Sequence, residues 1–254
     1  MRPRRRRRGG PPPAPRKASI LERKSTSCTI ATKFGKTAYL KNLRGMNRLR
    51  KEKNKTIHLL LIVFAATFLI WSLIKPVGGY GLWAAEAAPA VAGISIVLAA
   101  YKKFRLTTLA YFIITFLSIL TFIGRHYTYS RVPLFSWIQD IFELNRNHYD
   151  RFGHLMKGML VIVIREIVLR RTQVPRGSWL IFIVISISLA ISALYEIIEW
   201  LFFLITRGGK ESKNFLGTQG SMWDAQWDMS LTLIGTILAL LFLSKLHNRL
   251  MKKD

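Results

Sequence analysis

Cysteine is almost absent: Cys28 is the only one in 254 residues, which excludes an internal disulfide framework and any cysteine-based zinc site. Acidic side chains are scarce too, 13 against 39 lysines and arginines, for a formal net charge of +26. No internal repeat is visible, and no Walker-type phosphate loop. Apolar residues are plentiful, at 50% of the chain, with a mean hydropathy of +0.23 and a pI near 10.9. The basic excess points to nucleic acid and the long apolar runs to a bilayer. Position separates the two signals. Residues 1–55 hold 19 basic and two acidic side chains, a net of +17, which leaves +9 for the other 199 residues.

Arg4 to Arg8, followed by Gly9-Gly10-Pro11-Pro12-Pro13, cannot build a regular element. Like charges repel, glycine costs backbone entropy and proline lacks a donor. Residues 1–45 are therefore expected to be a disordered basic arm. Such an arm suits an anionic membrane surface or a targeting presequence, and suits nucleic acid less because few aromatic residues interleave the charges. Met46-Asn47-Arg48-Leu49-Arg50-Lys51 reads like the start of a bacterial membrane protein, so the expectation is that the arm is not native and reflects start-codon choice. Residues 46–254 form the expected membrane domain.

A spanning helix needs about 20 mostly apolar residues. Six stretches qualify, at about 57–74, 82–100, 106–123, 149–169, 179–205 and 223–244, so the expected fold class is all-α, a polytopic transmembrane bundle of six spans. With the N-terminus inside, the inner segments beyond the arm carry eleven basic residues. The outer segments carry seven: Lys75, Arg125, Arg131, Arg146, Arg207, Lys210 and Lys213. This asymmetry predicts both termini in the cytoplasm. Val132 to Asn145 is too short and polar to cross, and Leu134, Ile138, Ile141 and Phe142 recur at helical spacing, so this segment is expected to lie in the outer interface. Pro175 and Gly177 mark a tight inner turn.

A charge within a span costs about 2.5 to 3.5 kcal/mol near the centre on insertion scales, so each one is a functional candidate. Asp150 and His154 are four apart on one helical face, Glu196 and Glu199 three apart, and Asp224 and Asp228 four apart. At about 1.5 Å per residue, all fall in the outer leaflet under the expected topology, together with Glu86 and His126. Capping offers another account of Asp150 and Asp224, since Asn147 and Ser221 stand three residues before them. Hydrogen bonding between helices, with Arg151 as counter-charge, is another for the rest. Glu166, four before Arg170, reads as a helix-surface pair, and His126 and His148 as solvated. His58 and His247 receive no role. The glycines of Leu216-Gly217-Thr218-Gln219-Gly220-Ser221 could present backbone amides to a phosphate, but this is a weak signal.

Three ordered motifs then carry a resemblance. They are Asn147-His148-Tyr149-Asp150-Arg151-Phe152-Gly153-His154, Ala193-Leu194-Tyr195-Glu196-Ile197-Ile198-Glu199-Trp200, and Leu216-Gly217-Thr218-Gln219-Gly220-Ser221-Met222-Trp223-Asp224-Ala225-Gln226-Trp227-Asp228-Met229. Together they resemble the YjdF family of bacterial inner-membrane proteins over roughly Lys55 to Leu246. The resemblance implies a multi-pass fold in the inner (plasma) membrane and no established reaction. An Asp with a following His on one span, acids on the next and Asp on the last is also similar, as a pattern, to VanZ-like membrane proteins, which are associated with glycopeptide resistance. Residues 1–45 match neither.

Three functions compete. The first is a metal-dependent enzyme at the outer leaflet acting on a lipid or envelope intermediate. In it His154, Glu196, Glu199 and Asp228 are ligands or base, Asp150 and Asp224 further ligands or their supports, and Mg²⁺, Mn²⁺ or Zn²⁺ the ion. Glu196, Glu199 and Asp228 are its candidate catalytic groups. The second is a non-catalytic scaffold or sensor whose polar layer locks the bundle. The third is an ion-coupled transporter, disfavoured because the polar groups lie to one side and not near the midplane. The expected partner is the lipid bilayer; nucleic acid is not expected, and no protein partner is legible.

Overall fold

The computed structural model describes residues 52–205, 219 and 221–252. The basic arm and most of the 216–221 turn lie outside the described residues. Those described are all-helical: α1 Glu52–Ser72, α2 Gly79–Ala100, α3 Thr108–His126, α4 Pro133–Ile141, α5 Tyr149–Lys157, α6 Leu160–Arg171, α7 Ser178–Ile205 and α8 Asp224–Met251. Five of these, α1, α2, α3, α7 and α8, are long and apolar enough to cross a membrane. Helices α7 and α8 each have 28 residues, about 42 Å at about 1.5 Å per residue. Helix α8 continues to Met251, past the boundary expected at Ser244.

The expected continuous span 149–169 is instead two consecutive helices, and neither is long enough to cross alone. Between them the bonds shorten to Met159 N–H on Met156 O, 2.9 Å, Val161 N–H on Gly158 O, 3.2 Å, and Ile162 N–H on Met159 O, 3.1 Å. This three-residue spacing tightens the turn. The cause is close packing against α8. A Cβ on Gly158 would run into the backbone of Gly235 and Thr236, and one on Gly235 into the Leu155 carbonyl. Two facing glycines let the helices approach to backbone contact.

Helix α6 is the central element. Val161, Ile162, Val163, Ile164 and Val168 are buried against Ala110, Tyr111 and Ile113 of α3, Leu180 and Val184 of α7, and Ala239 of α8. Hydroxyls bind the seams: Ser188 to Thr236, 2.8 Å, Ser192 to Thr232, 3.3 Å, Thr232 to His154 O, 3.2 Å, and Thr236 to Gly158 O, 3.4 Å. Lipid tails are as apolar as leucine, so such bonds and close packing, more than hydrophobicity, join helices in a bilayer. The outward faces carry exposed Leu59, Ile70, Ile96, Phe182 and Phe242. Helix α4 starts with proline and leaves Leu134, Trp137, Ile141 and Phe142 exposed, an apolar face suited to lying in the interface.

The end of the bundle where α6 and α8 finish is locked by a buried charge network. Glu166 is fully buried. Its Oε1 accepts from Thr107 N–H, 2.8 Å, and pairs with Arg170, 2.7 Å. Its Oε2 accepts from Thr107 Oγ1, 2.7 Å, and from His247 Nε2, 3.1 Å. Arg165 donates to His247 Nδ1, 2.7 Å, so that nitrogen is an acceptor and Nε2 carries the proton given to Glu166. Glu166 is thus a buried clamp that fixes the start of α3, not a surface partner of Arg170. His58 is likewise satisfied, with Tyr101 OH and Thr108 Oγ1 each 3.0 Å away.

A candidate metal centre beside an apolar cavity

At the other end, α5 and α8 begin side by side. Asp150, His154 and Lys157 follow one another at four- and three-residue steps and so share one face of α5. The glycine contact of Gly158 with Gly235 presses that face against the first turns of α8, where Asp224 and Asp228 stand. His154 is buried, with Nε2 3.8 Å from Asp150 Oδ1 and 3.9 Å from Asp228 Oδ2. One ligand atom from each of the three lies within 4.8 Å of the other two. A divalent ion needs donors about 2.0 to 2.2 Å from itself, so a small inward movement would complete such a site. On the same nitrogen sits Lys157 Nζ, 2.9 Å away, which also stands 4.8 Å above the Tyr195 ring.

The other expected site residues are placed differently. Asp224 is held by Arg146, and α8 has no side-chain cap bond, so capping does not account for this aspartate. Nor does Asp150 cap α5; Asn147 Oδ1 instead accepts from Tyr149 N–H, 3.1 Å. Glu196 and Glu199 are on α7, the first half-buried and the second buried, within the field of Asp150 and Lys157. Neither joins the three-residue group. Glu86 pairs with Arg125 Nη1 at 2.6 Å. That arginine also donates to Tyr195 OH, 3.1 Å, and lies 3.7 Å over the Tyr129 ring. Arg151 stacks 5.0 Å from the Trp227 ring. Outside the spans, Gln219 closes a two-bond ring with the Asn147 backbone, both at 3.0 Å. Partial burial lowers the His148 imidazole pKa, with the guanidinium groups of Arg151 and Arg146 adding to the effect.

Sequence reasoning missed three cations of this site. Arg125 and Arg146 were counted as outer-loop residues, yet both are buried and paired. Lys157 carried a readable signal, being three residues after His154 and seven after Asp150 on their face. Buried or half-buried here are six carboxylates, Glu86, Asp150, Glu196, Glu199, Asp224 and Asp228, facing four fixed cations, Arg125, Arg146, Arg151 and Lys157. Several polar atoms also lack a hydrogen-bond partner: His154 Nδ1, Asp228 Oδ1 and Glu196 Oε1. Each such atom costs about 1 to 3 kcal/mol if nothing satisfies it.

A cavity of about 300 Å³ opens from this cluster into the apolar interior. Glu86, His154, Lys157 and Tyr195 line its polar end, and Gly93, Ile94, Val97, Leu117, Val163 and Ile191 its apolar part.

The comparisons agree with this architecture. Residues 57–249 match a family described as "Predicted membrane protein (DUF2238)". The Inner membrane protein YjdF of Escherichia coli (strain K12) is 37% identical over 172 residues, covering 67% of this chain and 81% of that protein. No solved structure matches. With three quarters of its length matched, the chain belongs to this YjdF family of predicted membrane proteins and is a multi-pass protein of the inner membrane.

Proposed function

We propose that the chain is a metal-dependent membrane enzyme acting at the outer leaflet on a lipid or cell-envelope intermediate. Asp150, His154 and Asp228 hold the ion, and Glu196 and Glu199 remain for proton transfer. The observation that carries this reading is the single imidazole nitrogen flanked by two carboxylates at 3.8 and 3.9 Å. The unpartnered Asp228 Oδ1 beside them supports it, since a bound cation would satisfy it. Oxygen and nitrogen donors without sulfur suit Mg²⁺, Mn²⁺ or Zn²⁺, and such an ion lowers the pKa of bound water or clamps a phosphate. Lys157 Nζ must then leave His154 Nε2, and the face of Tyr195 gives its ammonium somewhere to go.

In this reading the chain crosses the membrane six times, α5 and α6 together making the fourth crossing, with both termini in the cytoplasm. A periplasm-dependent reporter fused after Gly208 is expected to be active; cytoplasmic reporter activity there contradicts this topology. For the site, the full chain is purified, stripped with a chelator and titrated with Mn²⁺. The expected result is one ion per chain in wild type and none in His154→Ala. No binding to wild type by Mn²⁺, Mg²⁺ or Zn²⁺ overturns the reading.

One observation favours a second reading, a non-catalytic polar lock. Lys157 Nζ lies 2.9 Å from His154 Nε2, so the protein's own ammonium already serves the site. Under that reading Lys157→Met and His154→Ala both lower the melting temperature, and neither changes metal content.

A further inference from the structure

The cavity and the charges at its polar end together indicate what it holds. Its apolar part lies between α2, α3, α6 and α7. Pro89 of α2 and Ile191 of α7 line it and are themselves exposed, so the opening between these helices faces the apolar surroundings of the bundle. An occupant enters from the bilayer and must be largely apolar.

The polar end selects the head. No carboxylate lies within ion-pair distance of Lys157 among the described residues; its ammonium meets only His154 Nε2 and the Tyr195 ring. Because an ammonium can only donate, Nε2 is the acceptor and the His154 proton resides on Nδ1. That nitrogen has no partner although the residue is 97% buried, with 3% relative exposure, and lines the cavity. The cavity's polar end therefore presents an ammonium with no carboxylate in ion-pair contact, beside an imidazole N–H that has no partner. The one lining carboxylate, Glu86, is neutralised by Arg125.

We infer that the cavity binds a single-chain amphiphile with an anionic phosphate or carboxylate head, the chain between α2 and α7 and the head on Lys157. This deepens the reading above and rests on it for what becomes of the bound molecule, but not for binding itself. The head then lies beside the proposed ion, where a phosphate oxygen could join its ligands.

The test uses the full chain in nanodiscs of zwitterionic lipid, with chelator present, and measures binding of dodecyl phosphate, dodecanol and inorganic phosphate by calorimetry. Dodecyl phosphate is expected to bind at least about ten-fold more tightly than either fragment, since it alone supplies both the chain and a charge-assisted bond. Gly93→Leu is expected to abolish that binding. A Cβ at Gly93 meets nothing within 4 Å, so the larger side chain fills the cavity without disturbing the helix. Lys157→Met is expected to erase the preference over dodecanol. Equal binding of dodecyl phosphate and inorganic phosphate overturns the inference, as does binding unchanged in Gly93→Leu. Dodecyl phosphate binding without Mn²⁺ binding fails the metal reading alone; Mn²⁺ binding without dodecyl phosphate binding fails this inference alone.

Discussion

The two ends of the bundle each bury a histidine among charged groups, yet they treat it in opposite ways. Asp228 and His247 are 19 residues apart on α8, about 28 Å. At the His247 end the central pair is saturated: Glu166 receives four donors, and His247 is protonated on one nitrogen and accepts on the other. At the His154 end the carboxylates outnumber the cations, and His154 Nδ1, Asp228 Oδ1 and Glu196 Oε1 have no partner. A saturated network rigidifies, whereas a half-satisfied one costs stability and calls for a reason. Under the proposed function, the difference separates a lock from a site.

Substitutions should divide along the same line. The largest effect is expected at Glu166→Ala, which strands Arg170, the His247 N–H and the start of α3. Removing one partner of a buried ion pair costs about 3 to 5 kcal/mol, readable as a lower denaturation midpoint in detergent with metal binding retained by the folded fraction. Next comes Gly235→Ala, whose methyl group enters the Leu155 carbonyl. Overpacking of this kind costs about 1 to 3 kcal/mol, and by parting α5 from α8 it should also weaken Mn²⁺ binding, tying the helix contact to the site. The smallest stability change belongs to Asp228→Asn. It replaces a carboxyl group that has an unpartnered oxygen by an amide of the same shape, so it should shift stability by less than about 1 kcal/mol in either direction. A large loss there would make the two ends alike.

Much of the fold was legible because long apolar runs admit few alternatives in a bilayer. Five of the six stretches expected to span became single helices long and apolar enough to cross, and the apolar face of 132–145 became α4. The break at Gly158 was not legible, since it arises from Gly235, 77 positions away, and no local pattern reports that approach. Spacing put Asp150 with His154 and Asp224 with Asp228, but could not say which helices meet. So it grouped Glu196, Glu199 and Asp224 with the histidine, whereas the structure gathers Asp150, His154 and Asp228 and gives Asp224 to Arg146. Basic residues misled for a related reason. Arg125 and Arg146 at span ends look the same in sequence whether they meet water or a buried acid. Glu166 shows the converse, because a four-residue Glu–Arg spacing is identical on a surface and in a core.

The central claim is that one charged end is a metal centre and the other a structural lock. The most direct test is Mn²⁺ titration of chelator-stripped wild type, Asp228→Asn and Glu166→Gln, each with its thermal midpoint. The account predicts that Asp228→Asn loses the ion while keeping its midpoint, and that Glu166→Gln keeps the ion while its midpoint falls. Mn²⁺ binding unchanged by Asp228→Asn, or a midpoint that falls there as far as in Glu166→Gln, would contradict it.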